Sequence, residues 1–276
     1  TENGEYTILA KAVIIATGGF AANSEMVEYY CPSLKGFGTT NHKGATGDAF
    51  AMTEKFNAEL VQMEQIQIHP TVVKGTGMMI TEAVRGNGAI LVNKKGRRFI
   101  NEMETRDIVS SAILKGSGKT AWLIFDQSVR DSLKAIDGYA KAGFLTEADS
   151  VSALADKLSI PSDELQTTTA LYNSFVKNKN DADFGRNPAS MERTLENGPF
   201  YAIEIEPAVH HTMGGLKINE KAQVIDKSGK AVDALFAAGE VTGGIHGAER
   251  LGGNAVADFC VFGKIAADSA LELIKD

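Results

Sequence analysis

The sequence has only two cysteines, Cys31 and Cys260, and no CxxC pair. A zinc or iron–sulfur centre built on thiolates needs closely spaced sets of cysteines, so neither is expected, and the two thiols read as unpaired. No apolar run approaches the ~18 residues that a membrane-spanning helix requires. Positive charge is not in excess: 28 Lys and Arg stand against 35 Asp and Glu, a net charge of −7. That balance speaks against nucleic acid as the main partner. It leaves an anionic small molecule open, because local arginines decide such binding. The opening residues Thr1-Glu2-Asn3-Gly4-Glu5 are polar and do not read as a signal peptide. A strand–GxGxxG–helix unit, which would bind a dinucleotide pyrophosphate, does not precede Ala12, and Gly18-Gly19 has no third glycine at the required spacing.

What the chain does have is ordinary globular composition over 276 residues, 43% hydrophobic and 23% charged, long enough to bury a large core in one or two domains. Its 28 glycines cluster where backbone must approach something closely. Residues 11–19 read as a buried strand ending in a glycine turn. Asn23 or Ser24 caps a short helix through Tyr30, and Thr46-Gly47-Asp48 precedes another helix start. Residues 61–69 alternate as a half-exposed strand does. Residues 89–100 read as a hairpin, with Arg97 and Arg98 solvated after its turn. Residues 105–115 look helical, and residues 150–176 carry two helical patterns, the second opening at Pro161-Ser162-Asp163. Residues 177–188 read as loop. Strand signals return at 201–205 and 235–238. A long helix, opened by Gly252-Gly253-Asn254, ends the chain. The mixture without strict alternation indicates an α/β fold carrying an inserted α+β domain.

Five segments concentrate chemistry: His69-Pro70-Thr71; Thr81-Glu82-Ala83-Val84-Arg85-Gly86; Thr105-Arg106-Asp107; His210-His211-Thr212-Met213-Gly214-Gly215; and residues 239–254, which end in His246-Gly247-Ala248-Glu249-Arg250-Leu251-Gly252-Gly253-Asn254. Arginine offers a planar fork of donors to a carboxylate, and neighbouring glycines let a ligand come close. A glycine-rich turn leading into a long helix aims backbone N–H groups and a partial positive charge at one point. A carboxylate beside guanidinium groups can pass protons. The residues alone therefore indicate an anion-binding enzyme site.

Together and in order, these segments resemble the signature segments of the fumarate reductase and succinate dehydrogenase flavoprotein family, over essentially the whole chain. The double histidine His210-His211 resembles the soluble, flavocytochrome c branch, because membrane-bound members usually carry an aromatic residue at the position of His211. The resemblance implies an FAD-dependent oxidoreductase that reduces fumarate to succinate, as in anaerobic respiration and electron transfer. Reductases of other unsaturated acids, urocanate, acrylate or methacrylate, are the alternative, as is a truncated binding fragment without turnover. Arg106 matches the proton donor, and Glu82 with Arg85 matches the relay that restores its proton. His210 and Arg250 match residues holding one substrate carboxylate; His69 and Thr81 match those holding the other, with Met79 lining the pocket. For FAD, Ala16, Thr17, Gly18 and Gly19 match the strand-end turn, and Thr46, Gly47 and Asp48 a segment near the flavin. Gly239 and Glu240 match the acidic contact to a ribose or ribityl hydroxyl, His211 a backbone contact to the ring, and Gly253, Asn254, Ala255 and Val256 the helix start facing it. Some soluble members hold sodium near residues matching Thr212, Met213, Gly214, Glu240 and Thr242; carbonyl ligands leave no sequence signature, so no metal site is assigned.

The resemblance further implies a Rossmann-like FAD-binding domain in two pieces, 1–63 and 210–276, with a substrate-clamping domain at 64–209. On this reading an N-terminal flavin-domain segment lies outside the sequence, the two pieces share a sheet, and apolar faces are left uncovered. The expected partners are a small dicarboxylate, that segment, and an unidentified electron donor; the expected compartment is bacterial periplasm or cytoplasm.

Overall fold

In the computed structural model, residue 4 and residues 7–275 are described; the polar opening segment otherwise lies outside the described residues. The chain divides into two units, the first made of residues 1–67 and 209–276, the second of residues 68–208.

The elements follow the local signals closely at helix starts. Strand β1 (Val13–Ile15) is followed by α1 (Ser24–Tyr30), whose N-cap Asn23 accepts the Met26 N–H. Helix α2 (Asp48–Thr53) opens at Gly47, which has φ 76°. A Cβ at Gly47 would lie 2.8 Å from the Phe20 Cβ, so both backbone conformation and space demand glycine there. Strand β2 (Leu60–Val61) stops at Gln62, whose φ of 55° turns the chain before β3 (Ile66–Val73). The single strand expected over 61–69 is thus two, and β3 is mostly buried rather than half-exposed.

The one-turn helix α3 (Ala83–Gly86) and strand β4 (Ile90–Val92) come next. The expected hairpin return is reduced to an isolated bridge between Val92 and Arg98. Helix α4 (Arg106–Lys115) then leads to β5 (Ala121–Asp126). Asp126 caps α5 (Gln127–Asp131) by accepting the Ser128 and Val129 N–H groups. Helix α6 (Ala135–Lys141), strand β6 (Thr146–Ala148), α7 (Val151–Leu158) and α8 (Ser162–Asn178) follow, with Ser150 capping α7 and Asp163 and Glu164 in the first turn of α8. Strand β7 (Phe200–Thr212) far exceeds the 201–205 run legible in the sequence. Strands β8 (Gly215–Lys217), β9 (Gln223–Ile225), β10 (Ala231–Ala237) and β11 (Thr242–Gly243) precede the terminal helix α9 (Asn254–Lys275).

The second unit is organised by a five-stranded sheet in the order β3-β7-β5-β4, with β6 also on β7. Strand β5 and the first half of β7 are almost continuously buried, as central strands covered on both faces are. Its core joins Ile90, Leu91, Leu123, Phe125, Tyr172 and Ile203, with Trp122 packed against it.

The first unit holds two three-stranded sheets, β1-β10-β9 and β11-β8-β2. Strands β1 and β10 pair in parallel, Val13 with Leu235 through Ile15 with Ala237, so sequence-distant pieces share one sheet. The buried strand expected at 11–19 is corrected: β1 lies at the edge of its three-stranded sheet and covers only Ile15, while Val13 and Ile14 are exposed. Helix α9 packs Ala266 and Ala270 on Phe236 and Ala238, while Val256, Phe259, Val261 and Leu271 stay exposed. Among the described residues, no helix is long and apolar enough to cross a membrane.

Candidate active site

In the second unit, the turn between β3 and α3 sets two segments side by side. The Val73 N–H donates to Met78 O at 2.8 Å and the Ile80 N–H to Thr71 O at 2.8 Å, and Val72 bridges Met79. This places Met79, Thr81 and Glu82 beside the strand that carries His69. His69 is buried, and its Nδ1 accepts the Thr71 N–H at 3.3 Å. The Thr81 N–H donates to the Tyr139 hydroxyl at 3.1 Å, fixing the start of the 81–86 segment.

Arg106 is the first residue of α4 and Glu82 stands just before α3. One carboxylate oxygen of Glu82, Oε2, lies 3.4 Å from Arg106 Nε and 3.8 Å from an Arg85 terminal nitrogen. The side chains of Arg106, Glu82 and Arg85 are 12%, 42% and 0% exposed. Two guanidiniums thus flank one acid at ion-pair distance, somewhat longer than the ~2.6–3.2 Å of direct proton transfer. Burial pulls the Arg85 guanidinium down to about 10, despite the opposing charges of Glu82 and Glu102; Arg106 and Arg186 add to the lowering.

Beneath Arg85 lies a dry ionic cluster. Arg85 donates to the Glu102 carbonyl. The Glu102 carboxylate accepts from Arg98 Nε and a terminal nitrogen, each at 2.8 Å, and from Arg186 at 3.2 Å. Asp181 accepts from Arg98 at 2.9 and 3.1 Å, and Tyr172 lies under the guanidiniums of Arg98 and Arg186. Burial lifts the Tyr172 phenol to about 12, so it stays neutral. The expectation that Arg97 and Arg98 are both solvated fails for Arg98. Arg97 is 60% exposed on Glu164, whereas Arg98 is 4% exposed, because consecutive side chains of an extended segment point to opposite sides.

In the first unit, His210 Nδ1 is 2.7 Å from the Thr40 hydroxyl, and Asn41 donates to the His210 carbonyl at 2.8 Å. Arg250 is buried and donates to Gln67 Oε1 at 2.9 Å, while the Gln67 amide donates to Glu249 and to the Arg250 carbonyl. Gln67 is therefore the residue that shapes the Arg250 turn. It was not singled out in the sequence, since its partners are 182 and 183 positions away.

Of the residues matched to FAD, Gly19, His211 and Glu240 meet within this unit. Glu240 Oε1 accepts the Thr212 N–H at 3.0 Å and hydroxyl at 3.1 Å, and Oε2 lies 3.2 Å from His211 Nδ1. Burial pushes the Glu240 carboxyl up, but His211 and Thr212 together hold it below the ordinary carboxylate range. His246 Nε2 is 3.1 Å from Asp258 on α9, and its ring meets that of His211 edge-on at 5.5 Å between centroids. Burial holds the His246 imidazole below its ordinary value against the pull of Asp258, with His211 and Arg250 adding to the lowering. A Cβ at Gly19 would fall 2.0 Å from Thr212 Oγ1 and 2.6 Å from Glu240 Oε1, so glycine is required where this turn meets the Glu240 brace. Ala16 and Thr17 are exposed, and Gly18 is partly so. Thr46 donates to Asp48 at 2.8 Å and Gly47 is buried under Phe20. Gly239 accepts the Thr242 hydroxyl at 2.8 Å and Met213 is buried, while Gly253, Asn254 and Val256 are exposed at the start of α9 and Ala255 is partly buried. Among the described residues, no cluster of three His, Cys, Asp or Glu is placed to hold a metal ion.

These residues fit a flavin. His211 Nε2 is buried without a hydrogen-bond partner, the start of α9 is uncovered, and its first N–H groups offer the donors that an electron-rich ring edge or anion takes. Comparison with known proteins agrees. The FAD binding domain family matches residues 1–256. The chain is 50% identical over 272 residues to "Fumarate reductase (cytochrome)" of Shewanella frigidimarina, covering 99% of this chain and 47% of that protein. It is 38% identical over 284 residues to "Urocanate reductase" of Eggerthella lenta, covering 99% of this chain and 46% of that one. A solved flavocytochrome c3 fumarate reductase in its open conformation aligns with a TM-score of 0.80 at 45% identity, over 99% of this chain and 48% of the other. The chain spans about half the length of the curated relatives it matches. The chain belongs to the FAD binding domain family, among the flavoproteins that include the soluble fumarate reductases.

Proposed function

We propose that the protein of which this chain forms part reduces fumarate to succinate. The observation that carries this reading is the Arg106–Glu82–Arg85 array, in which one oxygen of Glu82 lies within 3.4 and 3.8 Å of the two guanidiniums. FAD, when bound, supplies the two-electron redox chemistry. The chain's own residues supply charge, orientation and a proton. Arg106 donates a proton from its guanidinium to a substrate carbon, which an arginine can do only if its proton is restored at once. Glu82 restores it, and Arg85, held near 10 by burial, passes a proton on to Glu82. The family resemblance assigns a substrate carboxylate to His210 and Arg250, and one to His69 and Thr81. The bracing of Arg250 by Gln67, and of His210 by Thr40 and Asn41, fixes these donors before substrate arrives. His211, Glu240, Gly19 and residues 253–256 are the groups for FAD. That the 50% identical relative bears fumarate in its name supports this substrate over urocanate.

The test is reoxidation of reduced methyl viologen by the intact, FAD-loaded protein, with fumarate, urocanate and acrylate compared side by side. Turnover with fumarate above the other two supports the reading. Turnover with urocanate or acrylate alone keeps the relay and replaces the substrate; none with any acid removes the reading.

A further inference from the structure

Three buried guanidiniums, Arg85, Arg98 and Arg186, share two buried carboxylates, Glu102 and Asp181. Glu102 is saturated. Its two oxygens accept two bonds from Arg98, one from Arg186 and one from the Leu91 N–H. Asp181 is held by Arg98 and by the N–H groups of Asp183, Phe184 and Arg186. Arg85 receives only the carbonyl of Glu102, not its carboxylate. Arg85 Nε and one terminal nitrogen are buried without a hydrogen bond, and the ion-pair partner of Arg85 is the half-exposed Glu82. Arg186 is the residue that touches both sides of this arrangement. It donates to the Glu102 carboxylate at 3.2 Å and, with its other terminal nitrogen, to the Arg85 carbonyl.

We propose that Arg186 is a positioning residue for the relay: by occupying the Glu102 carboxylate and pinning the Arg85 backbone, it keeps that buried acid off the Arg85 guanidinium and leaves Arg85 directed at Glu82. This rests on the relay reading given above. Without Arg186, two guanidiniums would face two buried carboxylates, and a desolvated carboxylate beside an under-paired guanidinium closes on it strongly. Arg85 would then sit in a dead pair with Glu102, and its proton would be harder to release. The charged groups facing Arg85 are Glu82 from the start of its own helix, Glu102 and Arg106 from the segment entering α4, and Arg186 from the loop after α8. All except Arg186 remain in place in the variant.

The experiment uses the intact, FAD-loaded protein and the variant Arg186→Met. Its crystal structure is expected to show a Glu102 oxygen hydrogen-bonded to Arg85. Its kcat for fumarate is expected to fall about ten-fold, a fraction of what a general acid contributes, with KM and FAD content unchanged. The alkaline limb of the kcat profile, which lies near 10 when set by Arg85, moves upward. Arg186→Lys, which keeps a cation on Glu102, retains the wild-type limb. The double variant Arg186→Met/Glu102→Gln restores it, since the acid that would capture Arg85 is gone. A Glu102 carboxylate that stays off Arg85 in Arg186→Met overturns the proposal whatever the activity. So does a lowered kcat with an unmoved pH profile, or a double variant no better than the single one. Should Arg186→Met fail to fold, Arg186→Gln, which removes the cation but keeps a side-chain amide for the Arg85 carbonyl, carries the same crystallographic comparison. The relay reading fails separately, if Arg106→Ala turns over fumarate like the wild type, and the crystal structure still decides the role of Arg186.

Discussion

The two units hold their charged groups in contrasting ways. In the second, Glu102 and Asp181 are fully buried and answered by arginine forks, under a core built on a five-stranded sheet. In the first, the carboxylates Glu240 and Asp258 each brace a histidine, and apolar side chains such as Leu9, Val13 and Phe259 remain exposed. A large dry core can keep permanent ions at fixed distances, because water cannot compete for them and mismatch is heavily penalised. That holds Arg85, which lies on this cluster, in place beside the half-exposed Glu82. The histidine braces are softer: each histidine rests on one carboxylate in the unit that carries the uncovered start of α9, which suits a surface that receives a cofactor.

The comparison is tested most severely at Arg106. If the second unit supplies the proton, Arg106→Ala is expected to lower kcat for fumarate about 10²–10⁴-fold, with FAD retained, since no FAD-matched residue belongs to that unit. A loss of FAD together with activity would break the division of labour between the units. Next in size is Glu102→Ala. It leaves Arg98 and Arg186 without their shared buried acid and is expected to cost about 3–5 kcal/mol of stability, read as the unfolding midpoint in guanidinium chloride. The corresponding change in the first unit, Glu240→Ala, is expected to cost about 1–3 kcal/mol, and chiefly to weaken FAD binding. Equal costs would show that the two kinds of brace do not differ.

A third measurement concerns close packing. Gly19→Ala would place a methyl against Thr212 Oγ1 and Glu240 Oε1. Glu240 can swing away, but only by releasing His211 and Thr212. The expected result is a stability loss of about 1–3 kcal/mol and weaker FAD binding, measured by flavin fluorescence on titration. Unchanged affinity would separate the Glu240 brace from the cofactor.

Much of this was legible beforehand, and the reasons are physical. Helix starts at Asn23 and Ser150 announced themselves because capping is local: donor and acceptor lie three residues apart. Glu82, Arg85 and Arg106 stood in segments whose arginine, acid and glycine content indicated anion chemistry, and the structure brings the three side chains together. What stayed hidden were long-range pairings. Glu102 meets Arg186 across 84 positions and Gln67 meets Arg250 across 183, and no local pattern marks either. A buried arginine carries the same letter as a solvated one, as Arg97 and Arg98 demonstrate side by side. Arg97→Ala is therefore expected to leave the melting temperature unchanged, while Arg98→Ala lowers it by several degrees. Strand β7 was underestimated because Glu206-Pro207 break its apolar run after Ile205, although the backbone continues as strand to Thr212.

The smallest expected effect, and the one that most directly probes the softness of the first unit, is pH dependence at His246. Its folded-state value is lowered by burial from the ordinary 6.5. Between the lowered value and 6.5 the unfolded chain binds the proton more readily than the folded one, so stability rises with pH across that window. The contribution of neutral His246 is complete above 6.5 and is lost as pH falls through the folded value. Unfolding midpoints measured from pH 7.5 down to 5 should therefore decline, and His246→Gln, which keeps a polar partner for Asp258, should flatten that decline. In the buried arginine cluster Arg85 is near 10, Tyr172 near 12, Arg98 is raised and Asp181 is lowered, so these four lie outside this range. Asp181→Asn should therefore leave the slope unchanged while lowering stability at every pH. A slope that follows Asp181 instead of His246 would place the pH-responsive group in the second unit and reverse the contrast drawn between the two.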